Sequence, residues 1–290
     1  LSRQLPPPAL SDAPLAPGLY LVATPIGNLR DITLRALDVL AGCDLLLAED
    51  TRVTGKLLSA YAIRTKLERH DEHVAERAIP GVLARLEAGE RVALVSDAGT
   101  PMVSDPGYRL ARAAIAAGHP VFPIPGASAA LAALTLAGLP TDRFLFAGFP
   151  PPKSAARRTF LEEFANTRAT LIFYEGASRV ADCLADMAAV FGATREAAVC
   201  RELTKLYETC VRGPLAELAA DPRFEAPKGE LVILVGPGAE QAASADDAEA
   251  ALREAMTRLP LGEAASEVAK ALGLSRKDLY RQALALKEQA

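Results

Sequence analysis

The chain contains no tryptophan, its aromatic residues make up only 5%, and its four cysteines include no Cys-x-x-Cys pair. Burial therefore rests on Leu, Val, Ile and Ala. Cys43, Cys183, Cys200 and Cys210 read as reduced, mostly buried thiols of a cytoplasmic protein. No G-x-G-x-x-G follows the first strand and no G-x-x-x-x-G-K-[ST] occurs, which excludes the dinucleotide fingerprint and the P-loop. His70, His73 and His119 show no metal-site pattern; His70 and His73 read as the edge of a solvated, charged helix beside Asp71 and Glu72. Ser96, Ser128 and Ser178 lack a nucleophile elbow, which excludes a serine hydrolase of that type. The longest apolar run, 127–139, is too short and too rich in Gly and Ala to span a bilayer, so no membrane partner is expected. A net charge of −4 excludes a surface coated in positive potential; any nucleic-acid contact must come from a local basic patch.

What is present is material for a large core: half of the 290 residues are hydrophobic, and this length makes two domains the default. The organising stretch is Val92–Gly107, VALVSDAGTPMVSDPG. Val92–Val95 form the apolar run of a buried parallel strand, and an apolar helix resumes at Tyr108. Between them lies a loop in which Gly99 lets backbone approach a ligand, while Pro101 and Pro106 limit relaxation. In open α/β sheets such loops, at the carboxyl ends of strands, hold ligands.

The same alternation runs from Gly18 to Gly138: strands at 18–23, 43–48, 66–69, 92–95 and 120–124, with helices at 33–40, 54–60, 71–87, 108–117 and 129–137. Leu34, Leu37 and Leu40 are expected on one side of the first helix. This half predicts a parallel α/β domain over 18–138. A second pattern over 139–238, where strands neighbour strands more often, predicts a mixed sheet, with 197–201 and 207–211 as a hairpin. Residues 1–17 read as a disordered leader without a signal-peptide core. Glu240–Ala250 reads as a linker within a 239–290 appendage of two helices, 266–272 and 276–287, spaced like a helix-turn-helix; Ser275 is a candidate N-cap. The predicted fold class is thus two α/β domains plus a small helical appendage.

The loops at the strand ends read TPIGNLRD, AEDTR, SDAGTPMVSDPG, PIPGAS, FYEGAS and CRELTK. With Pro25-Ile26-Gly27-Asn28, Glu49–Arg52, Ser96–Pro101, Ser104–Gly107 and Pro125–Ser128 in this order, the chain resembles the tetrapyrrole methylase superfamily. Within it, the chain is most similar to the ribosomal RNA small subunit methyltransferase I branch, over about Gly18 to Gly236 with the tail helices matching that branch's appendage. After Glu175 the family usually reads serine, proline, histidine and arginine. Here Gly176-Ala177-Ser178-Arg179 keeps the arginine and lacks the ring. The superfamily often carries an acid where this chain has Thr100.

The resemblance implies an S-adenosylmethionine-dependent transfer of a methyl group to a cytidine ribose 2′-hydroxyl of 16S rRNA, in the cytoplasm, by a homodimer, with 16S rRNA or the small ribosomal subunit as partner. It implies a cofactor cleft between the two α/β domains, with contacts from Ile26, Ala98, Gly99, Thr100, Val103, Ser128 and Ala129, and from Glu175, Leu203 and Glu230 of the second domain. No metal is required. The reaction is an in-line displacement in which positioning supplies much of the acceleration, while the hydroxyl still has to lose a proton. Asp50 is a candidate to accept or relay it, with Arg52 orienting Asp50 or holding a phosphate; Asp50 reads equally well as a helix N-cap. Glu202 and Lys205 are a second candidate pair, or a surface ion pair. RNA contacts are expected from Lys153, Arg157 and Arg158, from Arg30, Arg35, Arg52 and Lys56, and from Arg276, Lys277 and Arg281, each cluster also readable as solvated surface. Two other functions fit the same residues: a superfamily methyltransferase acting on a tetrapyrrole or protein, and a non-catalytic nucleic-acid-binding protein.

Overall fold

The computed structural model describes residues 10–11, 13–104, 107–238 and 245–288, without the side chains of 72–75, 245–246 and 288. Pro106, the His73 side chain and the start of the expected linker lie outside the described residues, as does most of the expected leader. Two compact units divide between Pro237 and Gly238.

The first unit holds two five-stranded sheets. The first is built from β1 (Gly18–Val22), α1 (Leu34–Gly42), β2 (Leu45–Ala48), α2 (Thr51–Ala60), β3 (Leu67–Arg69), α3 (Glu72–Glu87), β4 (Arg91–Val95), α4 (Tyr108–Ala116) and β5 (Val121–Ile124). Its strands run β3-β2-β4-β1-β5, all parallel. Helices α1 and α2 cover one face, around Leu46, Ala93 and Val95, and α3 and α4 cover the other, around Leu45, Leu47 and Leu94. Burial on both faces is why these strands read as continuous apolar runs.

Next come α5 (Ala129–Ala137), β6 (Phe144–Gly148), α6 (Ser154–Glu162), β7 (Thr170–Gly176), α7 (Val180–Phe191), β8 (Glu196–Arg201), β9 (Thr209–Pro214), α8 (Leu215–Ala219) and β10 (Glu230–Val235). The second sheet, β6-β7-β10-β8-β9, is mixed: β6 and β7 are parallel and the remaining pairs antiparallel. One face packs on α6, α7 and α8. The other face receives α5, whose Ala130, Ala133, Leu134 and Ala137 lie against Ile172, Ala198, Val232 and Leu234. Three alanines on that face let the helix backbone approach the second sheet closely, and Ile26, from the loop after β1, joins the same core.

The second unit consists of α9 (Ala245–Met256), α10 (Leu261–Leu272) and α11 (Arg276–Glu288), packed on Leu252, Val268, Leu279 and Ala283. Ser275 Oγ accepts from the Asp278 amide, as an N-cap does. No helix among the described residues is long and apolar enough to cross a membrane.

Several expectations are corrected. Ala245–Ala250 is helix rather than linker, because its Ala and Glu residues favour helix and Ala248 finds a core. Leu15, inside the expected leader, packs on the first core, and the Ala16 carbonyl accepts from Tyr20 Oη. Leu34 is exposed; Ala36, Leu37, Val39 and Leu40 form the buried face of α1. His70 is not on a solvated face. It is fully buried at the end of β3, and neither ring nitrogen has a hydrogen bond. Burial pushes its pKa below the ordinary value, against an opposing pull from Asp71. Arg157 is also interior, only 2% exposed, and its guanidinium binds Asp186 at 2.7 Å. Burial would raise the Asp186 carboxyl, but hydrogen bonds from Arg158, Arg157 and Ser154 outweigh it and hold its pKa down.

Two stability measurements follow. Asp186→Ala strands Arg157 without its counter-charge and is expected to cost about 3–5 kcal/mol in urea denaturation, whereas Arg158→Ala, at a half-exposed partner, costs about 1 kcal/mol or less. For His70 the folded pKa lies below the unfolded one, so the unfolded chain takes up the proton first. Stability is then complete above the ordinary histidine pKa and falls below it, by at most about 1.4 kcal/mol per pH unit. The urea midpoint should drop between pH 7 and pH 5.5, and His70→Phe should flatten that drop.

Candidate active site

The site begins with two backbone hydrogen bonds. The Thr24 amide donates to the Gly99 carbonyl at 2.9 Å, and the Gly99 amide returns a bond to the Thr24 carbonyl at 3.0 Å. Thr24 Oγ1 donates to the Ser96 carbonyl, and Ser96 Oγ donates to the Gly99 carbonyl, each at 3.1 Å. These bonds tie the loop after β1 to the loop after β4. Thr100 Oγ1 then donates to the Ala127 carbonyl at 3.2 Å, joining the loop after β5. Gly99 has φ +84°, and a Cβ there would lie 3.3 Å from Ile26 Cγ2 and 3.7 Å from the Ala127 carbonyl oxygen. The glycine keeps open the gap at which the three loops converge.

Across the gap stands the second sheet, and together they enclose a cavity of about 430 Å³. Ile26, Ala98, Gly99, Thr100, Val103, Ser128, Ala129, Glu175, Leu203 and Glu230 all line it, so every residue expected to contact a cofactor is at one cleft. Sequence reasoning missed Glu49, Asp97, Ser104, Phe149, Tyr174, Gly176 and Gly229, which line it too. Glu49 and Asp97 lie inside the motifs already singled out. Phe149 and Tyr174 sit on different strand ends and meet only in the fold, edge to face, with ring centroids 5.5 Å apart. Tyr174 Oη also accepts from the Ala130 amide at 3.1 Å, bonding β7 to the first turn of α5.

Among the described residues the charged side chains of the lining are Glu49, Asp97, Glu175 and Glu230, of which Glu175 is ion-paired with Arg179 and Glu230 with Lys205. Asp97 Oδ1 accepts from the Asp50 amide at 2.9 Å. Glu175 is ion-paired with Arg179, while its Oε2 is buried without a hydrogen bond near the Cys183 thiol, whose pKa is raised by burial and then by this carboxylate. No group of histidine, cysteine and carboxylate residues able to hold a metal ion occurs among the described residues.

The four candidate catalytic residues stand beside the cleft rather than in its lining, as two separate pairs. Asp50 is the N-cap of α2, which therefore starts at Thr51 rather than Thr54: its Oδ1 accepts from the Arg52 amide at 2.8 Å. The Arg52 guanidinium folds back on the same carboxylate at 2.6 Å and holds its pKa far below the ordinary range, yet Arg52 itself is 87% exposed. Lys205 Nζ bridges Glu202 Oε1 and Glu230 Oε2, each at 2.9 Å. Burial lowers the Lys205 pKa, but the two carboxylates outweigh it and hold it above the ordinary value. Glu202 Oε1 also accepts from the Glu230 amide, so this pair shapes a wall of the cleft.

Of the expected RNA contacts, Arg157 is interior, while Arg30, Arg35 and Lys56 are exposed. Arg276, Lys277 and Arg281 are exposed on α11. Gly229 is a point of leverage on the site: its φ is +92°, and any Cβ there would overlap the Glu202 carboxylate. Gly229→Ala is expected to displace Glu202, release Lys205 and cost about 1–3 kcal/mol in thermal or urea unfolding, more than the loss of a surface ion pair.

Comparison with known proteins places this geometry. Residues 18–219 match the profile of the Tetrapyrrole (Corrin/Porphyrin) Methylases, and residues 242–287 match that of the RsmI C-terminal HTH domain. The chain is similar to proteins named ribosomal RNA small subunit methyltransferase I: 54% identical to one from Erythrobacter litoralis, covering 96% of this chain and 98% of the relative. One from Mesorhizobium japonicum is 50% identical, over 95% of this chain and 94% of the relative. Among solved structures, the methyltransferase CobJ shares the fold with a TM-score of 0.58 at 22% identity, covering 77% of this chain and 95% of its own. With a profile matched across both sheets and relatives half identical along nearly their whole length, the chain belongs to the tetrapyrrole methylases, in their ribosomal RNA small subunit methyltransferase I family.

Proposed function

We propose that the protein transfers a methyl group from S-adenosylmethionine to the ribose 2′-hydroxyl of a cytidine in 16S rRNA. The observation that carries the cofactor assignment is the cleft itself: nucleoside-sized, at the carboxyl ends of parallel strands, with four carboxylates in its lining, two of them ion-paired with Arg179 and Lys205. Carboxylates in such a lining suit a cationic sulfonium and ammonium ligand. The notch kept open at Gly99 suits the close approach of backbone to a folded, polar ligand, so the residues present fit the group. When bound, it supplies an electrophilic methyl carbon on a good leaving group.

The remaining work falls to this chain's residues. The joined loops hold the ligand by backbone groups that do not reorganise, the condition under which positioning lowers a barrier. Phe149 and Tyr174 give the cleft an apolar wall. As the oxygen–methyl bond forms and the sulfur–methyl bond breaks, Asp50, held ionised and oriented by Arg52, takes the hydroxyl proton and passes it at once to solvent water. Arg52, mostly exposed at the end of that pair, offers its guanidinium to a phosphate. Glu202 and Lys205 hold Glu230 and the loop carrying Leu203 in place. The RNA is met by local cations, Arg30, Arg35 and Lys56 beside the first sheet and Arg276, Lys277 and Arg281 on α11, consistent with recognition through phosphates and 2′-hydroxyls.

Calorimetric titration with S-adenosylmethionine should show saturable binding that Thr100→Trp abolishes, because the added ring fills the cleft. Radiolabel from the cofactor's methyl group should then enter 16S rRNA of small ribosomal subunits lacking the modification. It should be recovered in an alkali-stable dinucleotide, as a 2′-O-methyl group requires. Label in a base, or in a tetrapyrrole and not in RNA, overturns the assignment.

A further inference from the structure

We infer that Tyr207, with Leu206 beside it, is the platform on which a nucleobase of the RNA substrate stacks at the rim of the cleft. This rests on the RNA methyltransferase reading above and extends it to the surface that receives the acceptor nucleotide.

Leu206 is 88% exposed and Tyr207 70% exposed, adjacent at the tip of the loop between β8 and β9. Among the described residues no aromatic ring packs on Tyr207. An exposed apolar pair on a slack loop would mean little. This loop is held on several sides. Glu202 and Thr204 are in the left-handed region, at φ +53° and +64°, a conformation that non-glycine residues keep only when their surroundings enforce it. The enforcing contacts are the Glu202 amide on the Glu230 carbonyl at 3.0 Å, the Thr204 amide on Glu208 at 2.6 Å, and the Lys205 bridge between two carboxylates. From the first sheet, the Asn28 amide donates to Thr204 Oγ1 at 3.2 Å, and Gly27 has no Cβ because the Lys205 side chain occupies that space.

The same loop forms part of the cofactor cleft through Leu203. Three residues separate Leu203 from Tyr207, and the four Cα steps span at most about 14 Å. An exposed aromatic ring on a braced loop therefore stands within a nucleotide or two of the cleft. The chemistry of the acceptor asks for such a surface. A ribose hydroxyl can enter a cleft of this size only if its nucleotide is drawn out of the helical stack, which leaves a base without neighbours. A protein aromatic can restore the lost stacking, and it does so for any base. Arg30, exposed two residues beyond Asn28, stands by for a flanking phosphate.

The test compares Tyr207→Ala and Tyr207→Phe in the full chain. Methyl transfer to small ribosomal subunits, calorimetric binding of S-adenosylmethionine and the sedimentation mass are measured for each. A stacking platform predicts that Tyr207→Ala raises KM for the subunit by about ten-fold or more, while cofactor affinity and sedimentation mass stay unchanged. Tyr207→Phe, which keeps the ring, should behave like the parent. Parental KM in Tyr207→Ala, equal losses in the Ala and Phe variants, or a parallel loss of cofactor binding each overturns the platform. A change of sedimentation mass in Tyr207→Ala would assign the exposed pair to contact between copies of the chain instead. A parent chain that binds the cofactor yet methylates no ribosomal RNA overturns the RNA reading, and the platform falls with it.

Discussion

The reciprocal hydrogen bonds between Thr24 and Gly99 are the constraint on which the rest of the cleft depends. β1 and β4 are adjacent parallel strands, and parallel strands leave their carboxyl ends open, with backbone groups that need partners. Here the two loops answer each other's need, and Thr24 is itself buried. A buried amide or carbonyl left without a partner costs about 1–3 kcal/mol, so the bridge is strongly specified once the strands are paired. From it follow the position of Gly99, the opening that its hydrogen side chain preserves, and the meeting of Thr100 with the loop after β5.

Around this rigid centre the chain stores local strain. Met102 and Ser104 on one side of the cleft, and Glu202 and Thr204 on the other, adopt left-handed backbone without being glycine. Each costs free energy that the packed sheets must supply, and such residues persist where the fold over-determines them. Their clustering beside a single cavity, in two loops from different sheets, is what rigid presentation of a small polar ligand requires. α5 makes the opposition of those loops possible. It follows the last strand of the first sheet, yet its small residues lie on the second. The chain thus crosses from one sheet to the other through a packed helix, with Ile26 of the loop after β1 in the same core.

Much of this was legible in the residues. The apolar runs Leu45–Ala48 and Val92–Val95 could only be strands buried on both faces, and small-residue loops at their ends marked the side that binds. The individual cleft residues came with the family resemblance that the strand-end motifs carry, while the small residues and glycines of those loops agreed on the location. What could not be read was partnership at long range. Arg157 looked like a surface cation because its counter-ion, Asp186, is 29 residues away on another helix. His70 looked solvated because its neighbours in sequence are charged, whereas the fold buries it completely. Asp50 carried two readings because an N-cap and a proton acceptor need the same side chain at the same helix start.

The sequence by itself therefore determined the alternation of strands and helices, the loops that would face a ligand, and the family to which the chain belongs. These are local matters of periodicity, propensity and backbone freedom, encoded within a few residues of one another. Only the tertiary structure decided that α5 packs on the second sheet, that Phe149 meets Tyr174, that four carboxylates line one cleft, and that Lys205 fills the space beside Gly27. Those facts depend on which distant segments share a volume. Burial and electrostatics act through space, and no window of sequence contains the distances that set them.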